Sequence, residues 1–351
     1  MKRFITLLWI AVAVFMLSGC SNTKQEMELT YRDQGIKHMN AGDYTAAVTS
    51  FTKALQQAPG RVRELELDIS YYKAAAQYKS GDFGGAIDTY TNLIDYKASA
   101  DLYILRGSAY IGTGETEKAY ADFDQAMEMD GKNYESYIRI YESLAQTDAE
   151  KAKGYLNEAL KLEGKKDKDY LNRGEIYYYL GDYQNAEKEL KEALKKENME
   201  SLLYLGKTYE AVQDPDTALD YYQQYQEKGR ESQEVYNIMG MCKMNKGDYE
   251  GALQSFQAGL AMTDGTAFRQ TLLFNEAVVY EYLLDFDTAA AKMAAYLEEF
   301  PDDTKAQKEN EFLQTRRTKS AGEGDNPEES GDTDEGDGQD PGGQDGEGGE
   351  A

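Results

Sequence analysis

Eight alanines, Ala47, Ala86, Ala119, Ala152, Ala186, Ala218, Ala252 and Ala289, recur at separations of 39, 33, 33, 34, 32, 34 and 37 residues. A near-constant period over most of a chain commits it to a linear stack of similar units, because one unit cannot bury its apolar face alone. The segments around the alanines are alike: "NAGDYTAAVTSFTKAL", "KSGDFGGAIDTYTNLI", "YLGDYQNAEKELKEAL" and "NKGDYEGALQSFQAGL". In the fifth copy Leu171, Gly174, Tyr177 and Tyr178 fall at helical spacing. Gly181-Asp182 then interrupts, and Tyr183, Ala186, Leu190 and Ala193 resume the period. Each unit therefore reads as two helices joined by a tight turn. Gly174 and Ala186 are small where the helices cross, Gly181 provides the backbone freedom of the turn, and Asp182 caps the second helix. Leu190 and Ala193 are expected to face the next hairpin.

The pattern resembles the tetratricopeptide repeat family. Gly35, Gly107, Gly174, Gly206 and Gly240 fill its small position on the first helix, and Tyr110, Tyr177, Tyr209 and Tyr280 its aromatic one. Phe51, Tyr90, Phe123, Tyr222 and Phe256 fill the large position on the second helix, with Pro59 and Pro301 closing two copies. The fourth copy lacks the Gly-Asp turn, the sixth has Gln213-Asp214-Pro215, and the eighth has Ala277 in place of the glycine. The resemblance implies an all-α, right-handed superhelical solenoid of about eight hairpins over residues 28–303. A polar capping helix follows at 304–320. The longer separations place extra residues near Arg61–Glu66 and Gly265–Arg269, where the chain can bend.

Ahead of the repeats, Lys2 and Arg3 precede an apolar run from Phe4 to Leu17 and the small pair Ser18-Gly19. This is the arrangement of an export signal, too short for a spanning helix. Leu17-Ser18-Gly19-Cys20 resembles the lipobox of bacterial lipoproteins, which implies cleavage after residue 19 and a lipid on Cys20. Residues 20–27 then form a linker, and the chain is held on the outer face of the cell membrane by lipid. The formal charge of −26 argues against nucleic acid, which needs a basic face. Residues 321–351 carry 12 acidic residues, 10 glycines and no basic residue, and are expected to be disordered. They read as a solvating brush or as a lure for a basic partner or cell-wall polymer. Cys242, the other cysteine, reads as a buried and inert thiol.

Little in the chain offers catalysis. His38 is the single histidine and is expected to be a packed core residue. "IGTGETEKAY" lacks the third glycine of a dinucleotide loop, and "DTDEGDGQD" places Gly336, Asp337 and Gly343 where a calcium loop needs other residues. No enzyme activity, cofactor or metal site is expected. A carboxylate enzyme would have to draw on groove acids such as Glu175 or Glu281.

In the family, the inner surface of the solenoid is lined by the first helix of each hairpin. Carried over copy by copy, the candidate partner-binding residues are Arg32, Tyr71, Tyr78, Tyr134, Tyr137, Tyr141, Tyr178, Asn237, Met241 and Phe274. The family's carboxylate clamp of Lys, Asn and Arg is not matched, so specificity for acidic peptide termini does not transfer. A tyrosine-rich groove suits a protein segment with apolar anchors, since tyrosine offers a large face at low entropic cost. Tyr134, Tyr137 and Tyr141 serve equally well as packing or as binding residues. Tyr110, Tyr177 and Tyr209 read as packing. The expected function is a membrane-anchored scaffold for proteins or peptides, with capture of a small ligand, cation or cell-wall polymer as the alternative.

Overall fold

A computed structural model describes residues 23–322 apart from 59, 61 and 263–267. The expected signal, Cys20, Pro59 and all but the first two residues of the acidic tail lie outside these. Among the described residues there are seventeen helices and no strand. Eight hairpins follow one another: α1 (23–40) with α2 (Tyr44–Gln56), α3 (Glu64–Lys79) with α4 (Phe83–Tyr96), α5 (Ala100–Thr113) with α6 (Thr116–Asp130), and α7 (Tyr134–Leu144) with α8 (Ala149–Ala159). Then come α9 (Asp167–Leu180) with α10 (Tyr183–Lys195), α11 (Glu200–Ala211) with α12 (Pro215–Glu227), α13 (Gln233–Lys246) with α14 (Tyr249–Ala261), and α15 (Arg269–Tyr282) with α16 (Phe286–Glu299). A last helix, α17 (Thr304–Gly322), closes the stack. Helix α1 takes in residues 23–27, which the sequence reading assigns to a linker.

The hairpin turns follow from two adjacent residues. At Gly181 the backbone is left-handed (φ 78°), so the N–H groups of Gly181 and Asp182 turn back to the carbonyls of Tyr178 and Tyr177 at 3.0 and 2.9 Å. Asp182 then accepts from the N–H of Asn185 at 3.2 Å, opening α10. Asp43, Asp82 and Asp248 do the same for α2, α4 and α14 at 3.0 Å. The sixth and eighth copies keep the cap, through Asp214 and Asp285, but put Gln213 (φ 63°) and Leu284 (φ 61°) in the glycine's place. The fourth copy dispenses with the left-handed residue and keeps only the Asp148 cap on α8.

Within a hairpin the small position of the first helix meets the large residue sixteen positions on. A Cβ added to Gly35, Gly107, Gly206 or Gly240 would lie 2.3 to 2.6 Å from the ring of Phe51, Phe123, Tyr222 or Phe256. Each of these rings is fully buried, a contribution of about 1.5–3 kcal/mol apiece. Gly174 is closed in the same way by Leu190, so Leu190 packs on its own hairpin as well as sharing a cluster with Leu205 of the next. Where the glycine is absent, Ala74 with Tyr90, Ile140 with Leu156, and Ala277 with Met293 occupy common clusters. The same offset carries ion pairs: Arg106 grips Asp122 at 2.7 and 2.8 Å, Arg173 reaches Glu189 at 2.7 Å, and Lys292 reaches the buried Glu276 at 2.8 Å.

Both ends are fastened. At the first, Arg63 bridges the buried carboxylates of Glu28 and Glu66, tying α1 to the start of α3 across the longer connection. At the other, Ala306 and Leu313 of α17 are fully buried against α16, and Arg317 pairs with Asp287 at 2.8 Å. His38 departs from its expected place in the core. Its side chain is 42% exposed, with Nδ1 3.9 Å from Asp43, because this position overhangs the turn of its own hairpin rather than a neighbour. Cys242 is buried, its thiol donating to the Pro215 carbonyl at 3.7 Å, and burial pushes it up to about 11.

Candidate functional site: the concave groove

The first helices of successive hairpins are stitched to each other by polar side chains along one face. Arg32 of α1 donates to Asp68 of α3 at 2.6 Å. Tyr71 of α3 donates to Asp101 of α5 at 2.8 Å, and Arg139 of α7 pairs with the same carboxylate. Ser108 of α5 and Ser143 of α7 share a hydrogen bond of 2.6 Å. Tyr179 of α9 donates to Glu142 of α7 at 3.2 Å, and Tyr204 of α11 to Glu175 of α9 at 2.5 Å. Asn275 of α15 donates to Asn237 of α13 at 2.8 Å. These links hold the first helices side by side and make their common face the floor of a groove.

Several candidate residues belong to this framework. Arg32, Tyr71 and Asn237 are committed to the links just described. Tyr134 is 4% exposed, and its hydroxyl donates to the Leu162 carbonyl at 2.6 Å and accepts from Arg173 at 3.2 Å. Tyr137 is 9% exposed and donates to the Gly131 carbonyl at 3.1 Å. Of the two roles open to these tyrosines, the structure places both in packing. Tyr141 is different: its ring lies 4.8 Å from that of Tyr179 and stays partly exposed.

The remaining candidates line open clefts. Tyr78 borders one of about 230 Å³ with Ile104, Ser108 and Glu142. Tyr178, Tyr204, Lys207, Glu210 and Met241 border a second of about 580 Å³ between α9, α11 and α13. Met241, Met244, Phe274, Val278, Glu281 and Glu309 border a third of about 650 Å³ between α13, α15 and α17. The second and third share Met241 and Asn245, so they adjoin along α13, and together they make up the channel. Tyr178 joins its aromatic wall to Tyr179 and Tyr204, with centroids 5.7 and 6.2 Å apart. Tyr179, Tyr204, Lys207, Asn245, Lys305 and Glu309 are groove residues that the carried-over positions do not include. Tyr179 and Tyr204 sit one position off the family's inward register, and the acid at Glu142 or Glu175 in the preceding helix was the available signal.

Along the channel some carboxyl groups are partly buried. Burial holds the Glu175 carboxyl above its ordinary range against the opposing hydrogen bond from Tyr204. Glu281 is pushed up to about 7, first by burial and then by the Glu309 carboxyl against it. Lys305 Nζ lies 4.5 Å from the centre of the Phe274 ring, a favourable cation–π contact. Among the described residues no three or more His, Cys, Asp or Glu side chains gather as a metal set. What the arrangement offers is a long surface of rings and thioethers bounded by carboxylates.

Models of the tetratricopeptide repeat match residues 32–91, 171–233 and 203–270, and a second model of the same description matches 100–133. Together they cover more than half of the chain. It belongs to the tetratricopeptide repeat family. Tetratricopeptide repeat protein 8 of Homo sapiens is 41% identical over 70 residues, which is 19% of this chain and 13% of that protein. The Mus musculus counterpart is 46% identical over 52 residues, 14% of this chain and 10% of the other. The chain thus matches only a small part of the length of these relatives. Among solved structures, a tetratricopeptide repeat protein from Parabacteroides merdae is similar with a TM-score of 0.47 and 16% identity, over 72% of this chain and 99% of that one. PilF of Pseudomonas aeruginosa is similar with a TM-score of 0.39 and 21% identity, over 60% and 95%. The family assignment rests on the repeat models. Tetratricopeptide repeats are protein-interaction scaffolds as a class, and the eight hairpins here present the surface such a scaffold uses.

Proposed function

We propose that this tetratricopeptide repeat protein is a lipid-anchored, extracytoplasmic scaffold whose groove holds a segment of a partner protein in envelope assembly, secretion or maintenance. The observation that carries the groove reading is the succession of two adjoining clefts that share Met241 and Asn245, from the tyrosine wall of α9 and α11 to Phe274 and α17. Most neighbouring polar groups are spent on holding the helices together, so the faces left open are apolar, as anchors for a bound segment require. The anchoring reading rests on the signal and Cys20, which lie outside the described residues. Among those, no helix is long and apolar enough to cross a membrane.

Two experiments test the two halves. Cys20→Ala moves the protein from the membrane to the soluble fraction and abolishes labelling by a clickable fatty acid; retention at the membrane with no label lost removes the lipid anchor. Affinity purification from detergent-solubilised membranes recovers a defined partner with wild type and Lys188→Ala, and loses it with Tyr141→Ala or Met241→Lys. A partner retained by both groove variants and lost with Lys188→Ala assigns binding to the outer face instead.

A further inference from the structure

At the α17 end of the channel, Glu281 of α15 and Glu309 of α17 place two carboxyl groups against each other, and Glu281 Oε1 is buried with no hydrogen-bond donor. Several cations of the surrounding helices have contacts of their own, among them Arg316 of α17 over the Phe286 and Phe312 rings. Lys305 of α17 lies over the Phe274 ring, and Lys246 of α13 is paired with Asp216. Lys292 of α16 is held by Glu276, and Arg317 of α17 by Asp287. The other groups around the pair are Asn245 of α13, Asn275 and Tyr282 of α15 and Phe286 of α16, none of them charged. The free protein satisfies the pair only by keeping a proton on it. Met241, Met244, Phe274, Val278 and Leu284 surround it with apolar surface, Leu284 75% exposed.

We infer that this end of the groove takes a cationic side chain, an arginine or lysine flanked by apolar residues in the bound protein segment, onto the Glu281–Glu309 pair. The inference rests on the groove reading above. A guanidinium supplies the donor that Glu281 Oε1 lacks and reaches the Glu309 carboxyl beside it, and its stem and neighbours cover the thioethers and the Phe274 ring. Its arrival makes the proton redundant: the shared O–H breaks, the proton passes to solvent, and both carboxylates are ionised against the cation. Binding is therefore coupled to proton release and strengthens as the pH rises through neutrality.

The test uses the purified full chain and a random twelve-residue peptide display library as the probe. Enriched peptides are expected to carry Arg or Lys beside Leu, Ile, Phe or Met, and to bind the E281Q/E309Q variant about tenfold or more weakly. Calorimetry of the strongest peptide at pH 7 in phosphate and in Tris should show release of about half a proton per peptide, as a group titrating near 7 requires. That measurement needs no variant, and E281Q should abolish it. Peptides that lose binding with Met241→Lys but bind E281Q/E309Q undiminished, or release no proton, overturn the inference and leave the groove reading standing. Peptides indifferent to Tyr141→Ala and Met241→Lys overturn both.

Discussion

Tyr204 uses both ends of its side chain: the ring completes the tyrosine wall beside Tyr178, and the hydroxyl supplies Glu175 with a donor at 2.5 Å. Tyr204→Phe separates the two, keeping the ring and removing the shorter hydrogen bond to a partly buried carboxyl. The expected cost is about 1–3 kcal/mol in a urea melt. Gly206, two residues on, has no such latitude, since a Cβ would fall 2.3 Å from the buried Tyr222 ring. Gly206→Ala is expected to destabilise the chain by about 1–3 kcal/mol, the cost of forcing atoms into a filled core. Gln213 presents the opposite case. It is exposed and left-handed at φ 63° where five other copies have glycine. Gln213→Gly should raise stability by about 1 kcal/mol through release of that strain, and an unchanged or lower melting temperature would contradict this account of the turn.

The elements divide between those readable in the sequence and those that are not, and the reason is range. A Gly-Asp turn, an aspartate cap and a helical stripe are set by residues within a few positions of one another, so the hairpins follow from local pattern, and even the degraded eighth copy forms α15 and α16 around Asp285. The pairing of Gly35 with Phe51 or Gly107 with Phe123 repeats at a constant offset, but the small size of Gly174 and Ala186 points to a glycine–alanine crossing, and only the packing shows the large residue filling the glycine's space. Tyr134 was not decidable, because its hydroxyl partner is the carbonyl of Leu162 in the connection after α8, a contact made only by the irregular fourth hairpin. His38 misled because an aromatic position in the repeat is not a buried one when it overhangs the turn. The joint between α15 and α17 is likewise tertiary, and it carries a pH dependence. Glu281 binds its proton more tightly folded than unfolded, with its pKa raised from 4.5 to about 7. Its contribution to stability is therefore full below about 4.5 and is lost as the pH rises through about 7. Urea melts at pH 5 and pH 8 should show a decline that is smaller in Glu281→Gln; equal declines would remove Glu281 as its source.

At the scale of the whole molecule, the links between first helices give the solenoid a fixed inner face, and the channel from Tyr178 to Lys305 is what that face leaves open, with Tyr141 beside it against Tyr179. In the anchored scaffold proposed above, this face is the surface left for a partner. Its outer helices carry charge, as at the exposed Lys188 of α10. The most direct measurement places a photo-crosslinking residue at Tyr141 in the living cell, with a matched control at Lys188, and identifies the captured proteins by mass spectrometry. The account predicts a discrete adduct from Tyr141 and none from Lys188; capture from Lys188 alone, or from neither, contradicts it.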